Sequence, residues 1–120
     1  MATVFEALFT WSSPLIDAVY AAVGAFGGAV LSGYGPQDVI TATLPMFHAA
    51  GAIFGGLGAF MAGVELVVMS PGGLRNPAMV EGFWRLASRY GATLIGGVPT
   101  AIGAVLEVPT EGHDLSKLRA

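Results

Sequence analysis

Val39-Ile40-Thr41-Ala42-Thr43-Leu44-Pro45 decides how this chain folds. It opens an uncharged run that continues to Val64, and length alone would let that run cross a bilayer as a helix, which needs about 20 apolar residues. The local chemistry argues for something else. Val39, Ile40, Thr41 and Thr43 are β-branched, Gly33-Tyr34-Gly35-Pro36 stands in front, and Pro45 closes the run. A β-branched stretch between turn residues reads as a strand. Pro45 would also remove a backbone donor from the middle of a spanning helix.

Working outward from this strand, the period changes after His48. Gly51, Gly55, Ala59 and Gly63 recur every four residues, which predicts a helix with a ridge of small side chains that lets it lie close to a neighbour. Val64-Glu65-Leu66-Val67-Val68-Met69 reads as a second short buried strand, stopped by Ser70-Pro71-Gly72-Gly73. Asn76 is then a suitable N-cap, Pro77 a first helical residue and Gly91 the residue just past the end. Val80, Phe83, Trp84 and Ala87 define the apolar face of that helix, and Glu81 and Arg85 are spaced for an ion pair. Ala92 to Gly97 predicts a third strand, and Thr100 to Glu107 a last helix. Upstream, Leu15 to Leu31 reads as an Ala/Gly-rich helix, while residues 1–14 carry no assignable pattern.

Strand and helix alternate throughout, which implies an α/β fold whose parallel sheet, with strands at 39–44, 64–69 and 92–97, is joined by crossover helices. Strands buried on both faces explain why the chain is 54% hydrophobic and only 11% charged. Gly24/Gly28 and Gly51/Gly55 have the spacing of close-packed membrane helices. A small membrane protein with two Gly-rich spanning helices is therefore the alternative, and a non-catalytic α/β piece that works by pairing with another chain is a third reading.

Composition excludes several function classes. A net charge of −3 without a Lys/Arg cluster leaves no nucleic-acid surface. With no cysteine and two well-separated histidines, neither a thiolate nucleophile nor a zinc site can be drawn. No positive residue precedes the first apolar run, so no secretory signal is expected. Together with the lack of cysteine this suggests a cytoplasmic protein. Gly33 and Gly35 are followed by Asp38 where a dinucleotide fingerprint needs glycine, and Lys117 is the only lysine. No Ser-His-Asp set has the right context, and Asp114-Leu115-Ser116 has the form of a capped turn.

His48 stands apart because it follows the carboxyl end of a predicted strand, where open parallel sheets bind ligands. Gly97-Val98-Pro99-Thr100 holds the equivalent position after the third strand. A histidine satisfied within the core and a histidine lining a pocket are both compatible with this placement. The pocket reading puts His48 in a cavity with Val98 and Thr100.

Leu44-Pro45-Met46-Phe47-His48, the small-residue helix, Val64–Met69, the helix bearing Trp84, Arg85 and Tyr90, and Gly96-Gly97-Val98-Pro99-Thr100 together resemble the adenylate-forming (AMP-binding) superfamily, and within it the acyl-CoA synthetases. Asp114-Leu115-Ser116-Lys117-Leu118-Arg119 is similar to the lead-in to that family's next strand. The resemblance runs from about Leu15 to the end. It implies a partial adenylating domain over 1–120, an internal fragment of the large N-terminal domain. It implies activation of a fatty or aromatic carboxylic acid through an acyl-adenylate, then thioesterification to CoA, with ATP, Mg2+ and CoA as the participants. By match, Phe47, His48, Gly51, Gly97, Val98 and Thr100 would be substrate-binding residues, with no catalytic or metal-binding residue among them. The family's phosphate loop and catalytic lysine have no counterpart here, so the chain alone is expected to hold none of these cofactors well and to be inactive. Exposed apolar surface would favour self-association.

Overall fold

The computed structural model describes residues 14–119, so all but the last residue of the unassigned segment 1–14 lies outside it. Helix α1 spans Pro14–Ser32, with proline opening it and Asp17 in its first turn, where the helix dipole favours negative charge. Gly33, at φ 65, ends it in the left-handed conformation that glycine adopts without strain. The helix expected over 15–31 is therefore present.

Strand β1 (Val39–Thr41) and strand β2 (Glu65–Val67) pair in parallel, Val39 with Glu65, Ile40 with Leu66 and Thr41 with Val67. On the other side of β1, Ile40 bridges in parallel to Leu94, and the Thr93 N–H donates to the Val39 carbonyl at 2.9 Å. The order is thus β2, β1, then the 93–94 segment, joined by helical crossovers. This is the parallel α/β arrangement expected from the sequence.

The strands are shorter than expected. Ala42 still donates to the Val67 carbonyl at 2.8 Å, but the Thr43 carbonyl accepts from Leu74 N–H at 2.9 Å and the Thr43 hydroxyl donates to the Gly96 carbonyl. From Thr43 onward the chain is held by a turn and a side chain rather than by a ladder. The third expected strand is reduced to its single bridge.

The crossover from β1 to β2 differs from the expected helix in its winding. Ala50–Leu57 is π-helical and only Gly58–Ala62, here α2, is α-helical; at their junction the Gly58 N–H bonds five residues back, to Ile53. Wider turns replace the four-residue ridge with a five-residue spacing, so Gly51 and Gly56 are the buried pair in the π stretch. Gly63 is not on the ridge: at φ 71 it terminates α2. Gly51 has a strict steric reason, since a Cβ there would collide with the Pro45 carbonyl oxygen.

After β2, a 3-10 turn (Gly73–Arg75) leads into α3 (Pro77–Glu81) and α4 (Phe83–Tyr90). The N-cap is as expected: the Ala78 N–H donates to Asn76 Oδ1 at 3.1 Å, and Gly91 at φ 63 closes α4. The helix expected to be continuous is broken at Gly82. No ion pair forms between Glu81 and Arg85 among the described residues.

Phe83, Trp84 and Ala87 are buried together with Leu74, Ala92 and Val105, and Val80 packs against them. Trp84 Nε1 donates to the carbonyls of Val105 and Val108 at 3.1 and 3.0 Å, tying α4 to the end of α5 (Pro99–Leu106). A separate layer forms where α1 meets the π stretch. A Cβ on Gly24 would lie 3.2 Å from the Ile53 side chain, and one on Gly58 3.2 Å from the Ala25 carbonyl oxygen, so small residues let the elements approach closely there. The outer side of this layer exposes Tyr20, Val23, Phe26, Phe60 and Met61. No helix among the described residues is long and apolar enough to cross a membrane.

Candidate functional site

Two cavities flank the chain where it leaves β1. The first, of about 310 Å3, is bounded by residues 40–44, by Met46, Gly51, Phe54 and Gly55 of the following crossover, and by Gly96 and Gly97, with Tyr34 and Leu66 completing it. Its wall is mostly apolar and carries no charged residue. It lies at the carboxyl ends of parallel segments, the region in which open α/β sheets hold ligands.

Glycine shapes this space. Gly51 lets the π stretch close onto the Pro45 carbonyl, and a Cβ on Gly97 would stand 2.9 Å from Thr43 Oγ1. Gly55 is different: a Cβ there would meet nothing nearer than the Ala50 carbonyl at 3.9 Å. A Cβ at Gly55 is therefore accommodated without collision.

The second cavity, of about 330 Å3, lies at residues 43–45, Leu74, Arg75 and Val80, and runs to Val98, Thr100, Ala101 and Ala104 of α5 and its approach. The sequence-derived set is therefore divided. Gly51 and Gly97 share the first cavity, whereas Val98 and Thr100 line the second. Phe47, 72% exposed, and His48, also exposed, line neither of them.

Neither of these two cavities joins His48 to Val98 and Thr100. The reason is local. His48 lies in a turn in which its own N–H donates to the Pro45 carbonyl at 3.0 Å. Its Nδ1 accepts from the Ala50 N–H at 3.1 Å, so the ring is held against the start of the π stretch rather than over the sheet. An accepting Nδ1 assigns the neutral-ring proton to Nε2.

At the opposite end of β1 stands a group that the sequence reading passed over. Asp38 is 1% exposed and its carboxylate meets Arg119 in a two-pronged pair, Nε to Oδ1 at 3.0 Å and Nη2 to Oδ2 at 2.6 Å. Thr93 Oγ1 donates to Oδ1 at 2.7 Å and the Gly35 N–H to Oδ2 at 3.0 Å. The Arg119 guanidinium first, then the Thr93 hydroxyl, hold this carboxyl well below the usual carboxylate range, and Asp38 in turn raises Arg119. The Arg119 N–H also donates to the Thr93 carbonyl at 2.9 Å. One carboxylate thus gathers β1, the 93–94 segment and the end of the described chain. The only sequence signal was isolation: Asp38 is the sole charged residue between Asp17 and Glu65.

Nucleotide chemistry finds little to hold it here. A triphosphate requires several cations, and the first cavity has none. Among the described residues no group of three acidic or imidazole side chains could hold a metal ion. The first cavity fits an apolar group and not a triphosphate with Mg2+.

The fold and these cavities define a piece of parallel α/β architecture with a mostly apolar cavity at its strand ends. The family follows from comparison: a model described as AMP-binding enzyme matches residues 15–120, and the chain belongs to that family. Over 82 residues, 68% of this chain, it is 35% identical to the marinolic acid–CoA ligase of Pseudoalteromonas sp. (strain SANK 73390). The matched stretch is only 12% of that relative's length.

Proposed function

We propose that the chain is part of an ATP-dependent acyl-CoA synthetase, a ligase that joins a carboxylic acid to CoA through an acyl-adenylate, and that its share of the work is acyl recognition. The supporting observation is the uncharged, mostly apolar cavity at the carboxyl ends of the parallel segments, walled by Gly51 and Gly97. Such a wall suits the body of a fatty or aromatic acid, because burying apolar surface contributes roughly 25 cal/mol per Å2 and needs no polar partner. In this reading Phe47 and His48, outside the wall, meet substrate at its polar end, with His48 Nε2–H turned outward as a donor. Val98 and Thr100 contact it from the neighbouring cavity. ATP, Mg2+ and CoA belong to the reaction as a whole, and the setting is cytoplasmic fatty-acid metabolism.

The test is a cavity-filling substitution in this 120-residue chain. Gly55→Leu enlarges a residue in the cavity wall where a Cβ makes only an ordinary contact, and circular dichroism checks that the fold is kept. Dodecanoate or benzoate should bind to the unsubstituted chain with amide shifts at Gly51, Gly55 and Gly97, and at least about tenfold more weakly to the variant. Equal binding by both chains would remove this cavity as the acyl site.

A further inference from the structure

Helix α1 presents an apolar seam that nothing else among the described residues covers. Val19, Val23, Phe26 and Val30 follow one another at steps of four, three and four residues, the spacing that keeps side chains in line along a helix that pairs with another. Each of them is 52–64% exposed. The helix turns its other side to the crossover, where Ala25 is fully buried and Gly24 lies close to the Ile53 side chain. Met61 of α2 walls both of the open grooves between α1 and α2, sharing one of them with Phe26 and Val30, and the neighbouring Phe60 is 69% exposed. Seam and groove rim therefore form one apolar face. None of these residues lines either strand-end cavity, so whatever this face binds is separable from acyl recognition.

We propose that this face pairs two copies of the chain, α1 against α1 in antiparallel order. The area is sufficient: the four seam residues with Phe60 and Met61 expose roughly 700 Å2, close to the about 800 Å2 that each partner gives to a standard interface and more than the about 300–600 Å2 patch of an ordinary monomer. Charge does not oppose it. Asp38 is the only charged residue between Asp17 and Glu65, so neither α1 beyond its first turn nor the crossover brings a charge that a twin surface would repel. A two-fold interface must be complementary to itself, and antiparallel order meets that requirement by setting each Phe26 against the smaller Val23 of the other copy and each Val19 against Val30. It also opposes the two helix dipoles and carries the two Asp17 carboxylates to opposite ends. A lipid surface suits the face less well, since a helix lying in a membrane interface carries Lys or Arg on its polar side and α1 has neither.

The experiment is sedimentation equilibrium of the full 120-residue chain over a range of concentrations. The mass is expected to move between 12.2 kDa and twice that value, with no larger species. Val23→Glu and Phe26→Lys each place an unpaired charge in the seam and should each weaken the dimer by at least about tenfold. Leu106→Glu, at a comparably exposed position on α5, should leave it unchanged. Mixed in equal amounts, the Val23→Glu and Phe26→Lys chains should pair again, because antiparallel order sets the new carboxylate beside the new ammonium. Chains that had merely failed to fold would not recover in this way, and circular dichroism checks each variant alone. A monomer at every concentration, aggregates of no fixed mass, or a dimer that both substitutions leave intact would overturn the pairing. Monomers that bind phosphatidylcholine vesicles, and lose that binding in Val23→Glu, would overturn it in favour of lipid. A dimer that both substitutions break and their mixture does not restore would overturn the antiparallel order.

Discussion

Trp84 offers the most direct measurement of what holds this chain together. It is almost wholly buried in the cluster with Phe83, its ring meeting Phe83 edge-on at 5.2 Å, and its Nε1–H is shared by the Val105 and Val108 carbonyls. Trp84→Phe keeps an aromatic ring but removes that donor. Val105 O still accepts from Val108 N–H at 3.1 Å, so the loss concentrates on the Val108 carbonyl. An acceptor left without a partner costs about 1–3 kcal/mol, and that is the expected loss of stability. Trp84→Ala should cost about 3–5 kcal/mol, adding a cavity to the lost donor. Since a domain's whole stability is about 5–15 kcal/mol, the alanine variant should approach unfolding, and the phenylalanine variant is the informative one. Urea titration followed by far-ultraviolet circular dichroism measures both without relying on tryptophan emission. A loss below about 0.5 kcal/mol for Trp84→Phe, the size of a neutral surface change, would refute the claim that the indole donor ties α4 to α5.

Asp38→Asn and Arg119→Ala should each release the end of the described chain, seen as faster amide exchange at Arg119. Because the folded Asp38 carboxyl is held below its ordinary value, its stabilisation is present above about pH 4 and is lost as pH falls from there toward the folded value. The stability gap between the unsubstituted chain and Asp38→Asn should accordingly be constant from pH 5 to 8 and shrink in acid. Gly73→Ala should destabilise by about 1–3 kcal/mol or more, since Gly73 has φ 57 and a Cβ there would strike the Thr43 carbonyl, whereas Gly72→Ala, with open space, should stay within about 0.5 kcal/mol. Thr41 Oγ1 is buried without a hydrogen-bond partner, so Thr41→Val should raise the thermal midpoint rather than lower it. Incubated with ATP and fatty or aromatic acids, this chain should release no pyrophosphate above the protein-free control. Turnover that Gly55→Leu abolishes would contradict the poor fit to nucleotide.

Much of the architecture is legible in the sequence because it is written locally. Asn76, Pro77 and Gly91 bound their helical region as caps do, and Phe83, Trp84 and Ala87 repeat at helical spacing and are buried. The parallel pairing of Val39–Thr41 with Glu65–Val67 follows from β-branched runs between turn residues. What the sequence hides is set by partners distant along the chain. Nothing near Thr43 announces that Leu74 will take its carbonyl and end the strand. The π winding of Ala50–Leu57 and the close approach of Gly51 to the Pro45 carbonyl are not encoded by any helical periodicity. The surroundings of the expected site residues are set in the same way: Gly51 and Gly97 line one cavity, Val98 and Thr100 another, and His48 is held in its own turn by hydrogen bonds to Pro45 and Ala50.

The Asp38 clamp also bears on the order in which the molecule assembles. Contacts at the start of β1 join residues progressively farther apart: Val39 with Glu65, then Val39 with Thr93 at a separation of 54, then Asp38 with Arg119 at 81. Lengthening a loop is not itself expensive, since each doubling adds about 0.6 kcal/mol of closure entropy. The sequence of events is set by dependence instead. Arg119 can dock only after Thr93 has been placed beside Val39, because its N–H bonds to the Thr93 carbonyl and its guanidinium shares Asp38 with the Thr93 hydroxyl. The clamp is therefore a terminal event in folding, so substitutions at Asp38 should accelerate unfolding while leaving the refolding rate nearly unchanged.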